Sequence, residues 1–132
     1  MTWARAYLGA LVAFLAIDSV WLGFIAAEFY RERIGHLMLA EPNFAAAAAF
    51  YLMYLAGIVY LAVAPAVRAG NWRTALARGA ALGFVAYGTY DFTNYATLTG
   101  WPLDMVLIDL VWGTFLTGTA AVASYFAAGR PA

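Results

Sequence analysis

The sequence predicts an all-α integral membrane protein: a four-transmembrane-helix antiparallel bundle with a short interfacial helix between the first and second spans. Three observations lead there. Of 132 residues, 66% are hydrophobic and only 11% charged, whereas a soluble domain carries roughly 25% charged residues. Polar side chains are thus too few to cover a water-soluble globule. Four apolar stretches each approach the roughly 20 residues that cross about 30 Å of hydrocarbon as a helix. The alternating pattern of a barrel is missing, which leaves helices as the spanning structure.

The stretches run over about 3–27, 44–64, 75–95 and 103–126, and together they form a single domain over 1–132. The first is too long, and too interrupted by Asp18, to read as a cleaved signal peptide. In the link from Glu28 to Glu41, Tyr30, Ile34, Leu37 and Met38 fall at helical spacing, with Arg31, Glu32, Arg33 and His36 largely elsewhere. That pattern suits a short helix lying in the outer interface as a lid, or equally a solvated extension of the first helix. Pro42 suits the first turn of the second helix, and Pro65 marks its stop. Gly70-Asn71 reads as a turn, and Gly100-Trp101-Pro102 as a short hairpin before the last helix. Trp3, Trp72 and Trp101 fall near predicted ends, where indoles favour the headgroup layer. Short links make the second, third and fourth helices successive antiparallel neighbours. Gly79-x-x-x-Gly83 reads as a close-packing stripe.

The chemistry is bounded by what is scarce. Seven Arg balance seven Asp plus Glu and Lys is absent, so the basic footprint of a nucleic-acid binder is missing. Without Cys there is no disulfide, thiol catalysis or thiolate-bound metal, and the lone His36 rules out a His-rich metal site. No metal site and no cofactor is predicted.

The informative residues are Asp18, Asp91 and Asp109. At 1.5 Å per residue, all three fall in one layer of the outer half of the bilayer. An intramembrane carboxylate costs on the order of 2.5–3.5 kcal/mol on insertion scales, so each should face the bundle interior. Tyr87, Asp91 and Asn94 stand at i, i+4, i+7 and form one polar stripe. The second helix brings Tyr51 and Tyr54 to similar depth. An internal echo also stands out: Ile17-Asp18-Ser19-Val20-Trp21 matches Ile108-Asp109-Leu110-Val111-Trp112. Each copy sets an indole three residues past an acid, on the same helical face.

No Arg lies inside that layer, and carboxylates sharing a dry site cannot all ionise without a cation. The site must hold protons, bind a cation, or recruit Arg31 or Arg33 from the lid. The bland alternative is that Asp, Asn, Thr and Tyr act as interhelical glue.

Asp18-x-x-Trp21-Leu22-Gly23, Phe50-Tyr51-Leu52-Met53-Tyr54, the run from Tyr87 to Leu98 containing Tyr90-Asp91-x-Thr93-Asn94-x-Ala96-Thr97-Leu98, Trp101-Pro102 and Asp109-x-x-Trp112-Gly113 occur in that order. They closely resemble the small bacterial predicted-membrane-protein family known as domain of unknown function twenty-one seventy-seven. The resemblance spans nearly the whole chain. It implies an integral inner-membrane protein and carries no reaction with it. Arg5, Arg68, Arg73, Arg78 and Arg130 share one side against Arg31 and Arg33 on the other, so the positive-inside rule puts both termini in the cytoplasm.

Three functions follow as expectations. The first is proton- or cation-linked transport of a small substrate, bound by Asp18, Asp91, Asn94 and Asp109 with Trp21, Trp112, Tyr51, Tyr54 and Tyr87 as aromatic faces. It would call for a homodimer or larger membrane complex, since four helices hardly enclose a pathway. The second is an enzyme or binding protein for a lipid or isoprenoid, with Asp91 or Asp109 as general acid/base; its oxygen-rich set would suit Mg²⁺, Ca²⁺ or Mn²⁺ more than zinc. The third is a non-catalytic accessory subunit embedded in the lipid bilayer.

Overall fold

The structure, a computed structural model, describes residues 1–129 and is helical throughout its regular elements. Arg130, counted above for orientation, lies outside the described residues. α1 (Thr2–Val20) runs on into a π turn, Trp21–Ile25, whose last bond joins the Ala26 N–H to the Trp21 carbonyl at 2.7 Å. Ala26, at φ −110° and ψ 0°, then redirects the chain into α2 (Ala27–Ile34). The helical run thus covers Thr2–Ile25, close to its apolar stretch, and the link that follows holds a helix of its own.

α3 (Phe44–Ile58) starts at Asn43, whose side chain accepts the Ala46 N–H at 3.0 Å. Pro42 sits outside this cap and not in the first turn, because Asn43 supplies the acceptor that orphan N–H groups need. Pro65 does not stop the helix either. A π turn, Val59–Val63, precedes α4 (Ala64–Ala69), so Pro65 occupies the first turn of a new helical segment, where its missing N–H breaks no bond. The Leu61 carbonyl accepts from Arg78 instead, at 3.4 Å. Gly70 ends α4 in the left-handed region at φ 64°, and Asn71 caps α5 (Trp72–Thr97) by accepting the Arg73 N–H at 3.0 Å. α6 (Leu103–Ala128) follows a turn at Gly100.

Among the described residues, three helical runs are long and apolar enough to cross a membrane: Thr2–Ile25, Phe44–Ala69 and Leu103–Ala128. α5, with 26 residues, has the length, but Arg73, Arg78, Asp91 and its Tyr, Thr and Asn stripe keep it off that set.

Close approach holds the helices together at one end. A Cβ on Gly79 would fall 2.6 Å from the Ala121 Cβ and 2.9 Å from the Thr117 carbonyl, and one on Gly83 would run into the Gly113 carbonyl. Gly79-x-x-x-Gly83 is thus a backbone-to-backbone seam between α5 and α6. Ser124 Oγ donates to the Ala6 carbonyl at 2.6 Å, tying α6 to α1. Phe14, Leu55, Ile58, Val63 and Leu116 fill the shared core.

At the other end, Phe29, Tyr30 and Ile34 of α2 pack on Trp101, Met105, Val106 and Leu110. The expected apolar face of the link is half right: Tyr30 and Ile34 are in it, while Leu37 is exposed. Trp101 is also misjudged by its position near a helix end. Only 8% of it is exposed, because its ring N–H is needed inside, as described next.

Candidate functional site

The predicted acids are all buried: Asp18 is 7% exposed, Asp109 5% and Asp91 fully enclosed. They fall into two groups, Asp18 alone and Asp91 with Asp109. Asp18 accepts from Tyr51 Oη at 3.1 Å and from Trp112 Nε1 at 3.2 Å, so α1, α3 and α6 meet at one carboxyl. Asp109 accepts from the Tyr30 hydroxyl, which in turn accepts from Trp21 Nε1 at 3.1 Å. Asp91 accepts from Trp101 Nε1 at 3.3 Å and neighbours the Asp109 carboxyl. Its Oδ2 has no donor among the described residues.

The internal echo explains how the groups are joined. α1 and α6 run oppositely, so each copy's indole reaches past its own acid to serve the other copy. Trp112 binds Asp18 directly, and Trp21 reaches Asp109 through Tyr30. The two indoles stack where they cross, with centroids 4.3 Å apart and planes 12° apart. Such aromatic pairs add about 0.5–1.5 kcal/mol beyond their burial.

Beneath α2 opens a cavity of about 400 Å³ whose walls include Asp18, Asp109, Trp21, Trp112, Tyr30 and Tyr87. Asp91 stands behind Asp109 and does not line it. Tyr54 is also set back: it bonds Thr117 Oγ1 at 2.8 Å and packs edge-on against Phe14. Asn94 is half-buried, and its side chain has no hydrogen-bond partner among the described residues. Of the nine residues expected at the site, Asp18, Asp109, Trp21, Trp112 and Tyr87 line the cavity; Tyr51 touches it through Asp18 and Asp91 through Asp109. Tyr54 and Asn94 stand apart.

The cations stay away from these carboxyls. Arg31 borders the cavity but pairs with Glu28. Arg33 grips Asp104, at 2.9 Å from Nε and 2.7 Å from an amino nitrogen, and its guanidinium lies 3.7 Å from the Phe29 ring centre. Among the described residues, no group of three or more His, Cys, Asp or Glu is placed to hold a metal ion. Asp18 is separated from the Asp91–Asp109 pair, so the oxygen-rich set of three acids with Asn94 is not assembled.

Sequence reasoning missed two participants. Tyr30 counted only as part of an apolar face, and Trp101 as a headgroup anchor. Burial, with the Asp109 hydrogen bond second, holds the Tyr30 hydroxyl well above the usual phenol range, so it remains a proton donor. The Trp101 signal was present in the sequence: an indole ten residues after Asp91 across a tight turn.

A helical protein with several membrane-length apolar helices and acids sealed in its interior belongs among integral membrane proteins. More narrowly, the chain belongs to the family described as "Predicted membrane protein (DUF2177)", which matches residues 3–126. No curated protein and no solved structure matches it.

Proposed function

We propose that the cavity under α2 binds a small lipophilic cation in exchange for a proton, as the binding step of proton- or cation-linked transport. The observation that carries this reading is the pairing pattern: two carboxyls face an aromatic-walled cavity while every described arginine near them is engaged with other acids. A dry carboxylate needs a compensating charge, and the indole and phenol faces suit an organic cation. The exchangeable proton in this reading sits on Asp109, whose carboxyl lines the cavity and accepts from Tyr30, with the enclosed Asp91 beside it.

In this reading α5 crosses the membrane with the other three helices as an antiparallel four-span bundle. α2 lies in the outer interface, and both termini face the cytoplasm of a bacterial inner membrane. A homodimer would complete a pathway that one copy cannot enclose. The natural absence of Cys makes single-cysteine labelling direct: a Cys at Gly70 should react only from inside, and one at Gly100 only from outside. The opposite result removes the orientation.

The binding test is titration of purified protein with tetraphenylphosphonium, in two buffers of different protonation enthalpy. Saturable binding with proton release is expected, lost in Asp109→Asn and weakened at least tenfold in Asp18→Asn. Equal binding by wild type and both variants sinks the proposal.

One observation favours a second reading, a lipid or isoprenoid ligand. A further cavity of about 350 Å³, lined by Phe50, Ala86, Tyr87 and Tyr90, shares Tyr87 and Tyr90 with the first and is almost wholly apolar. Thermal stabilisation by a neutral isoprenoid alcohol, without any by the phosphonium, would select it.

A further inference from the structure

Away from the acids, the molecule has a basic end. Arg5, Arg68, Arg73 and Arg78 stand there, whereas the seven acids occupy 18, 28, 32, 41, 91, 104 and 109. Along α1 the nearest, Asp18, is about 20 Å from Arg5. Three of these arginines are occupied. Arg5 donates to the Ala128 carbonyl at 3.2 Å, Arg78 donates to Leu61, and the Arg73 guanidinium lies 5.5 Å from the centre of the Trp72 ring. Arg68 is exposed and has no hydrogen bond or ion pair among the described residues.

Arg68 borders a groove of about 370 Å³ between α1 and the α3–α4 helix. Besides Arg68, the groove is lined by Trp3, Tyr7, Ala56, Val59, Tyr60 and Ala64. From Arg68 to Ala56 it extends about 18 Å along the helix. The small side chains of Ala56, Val59 and Ala64 leave the space beside the π turn Val59–Val63. Tyr7, which lines it, donates to the Leu52 carbonyl at 3.2 Å. Trp3 and Arg68 both belong to the ends of membrane-length helices, the level of phospholipid headgroups.

We infer that this groove is a binding site for an anionic phospholipid, with the phosphodiester on Arg68 and one acyl chain lying over Ala56, Val59 and Ala64. Charge complementarity selects an anionic lipid over a zwitterionic one: basic pockets between membrane helices bind such headgroups, and among the described residues this end carries no Asp or Glu to repel one. The groove is separate from the acidic cavity, and the inference does not depend on the transport reading.

Native mass spectrometry of the detergent-solubilised protein, titrated with dioleoyl phosphatidylglycerol, dioleoyl phosphatidylcholine or soluble glycerol phosphate, tests it. One phosphatidylglycerol should bind in preference to phosphatidylcholine. Arg68→Gln should weaken that binding about fivefold, the worth of one basic residue near an anionic surface, while Arg73→Gln changes it less than twofold. Ala56→Phe, which fills the groove without altering charge, should abolish the bound lipid, with circular dichroism confirming an intact helical fold. Equal binding of the two lipids overturns the inference. So do equal losses in Arg68→Gln and Arg73→Gln, which would mean a diffuse basic field, and displacement of the lipid by glycerol phosphate, which would mean a site for free anions.

Discussion

Near one end of the α1–α6 contact, Gly9 faces Ser124 and Ala127, and Ser124 bonds straight to the Ala6 backbone. Near the other, Asp18 and Trp112 hold the same two helices apart with full-sized polar side chains, and a cavity opens beside them. The glycine end gains from dispersion and backbone approach, the main attraction available between helices in lipid. The acid end forgoes that packing for hydrogen bonds, each worth only about 0.6–2 kcal/mol between membrane helices. The two ends should therefore fail differently when altered, the first through stability and the second through ligand binding.

The largest effect should come from Gly83→Val. Its side chain has nowhere to go but the Gly113 backbone, and unfolding in mixed micelles should show a loss of about 3 kcal/mol. A tolerated Gly83→Val would mean that the backbone seam between α5 and α6 carries little of the stability. Next is Trp101→Phe, which removes the donor to a fully enclosed Asp91; a loss of about 1–3 kcal/mol is expected in the same assay. Tyr30→Phe should cost less stability, about 1 kcal/mol, yet alter phosphonium affinity by more than Trp101→Phe does, since Tyr30 lines the cavity and Trp101 does not. The reverse order of affinities would mean that Asp91, not Asp109, meets the ligand. Arg33→Gln should be smallest. Its pair with Asp104 sits at the rim, Asp104 exposed and Arg33 half-buried, and the unfolding midpoint should move less than in any of the other variants.

The sequence disclosed an all-helical membrane protein through bulk properties that act additively: hydropathy, length, glycine spacing and turn residues. It misplaced details that depend on one atom's partner. Pro65 looked like a stop, but whether a proline breaks a helix depends on the turn before it, and a π turn leaves no apolar periodicity to read. Asp18, Asp91 and Asp109 were readable as interior residues because their desolvation cost forbids the lipid face. Their division into two groups was not, since helix depth gives height along the membrane normal and nothing about rotation around it. Tyr30 escaped because amphipathic spacing records the ring and ignores the hydroxyl. The echo around Asp18 and Asp109 was visible in one dimension, while the exchange of indoles between copies needs three.

The stacked indoles of Trp21 and Trp112 give the protein a built-in optical ruler. Two closely stacked chromophores couple their transition dipoles, and the exciton contribution they make to the circular dichroism is lost when the rings separate. Any ligand that spreads α1 from α6 beside the acids would thus announce itself without a label.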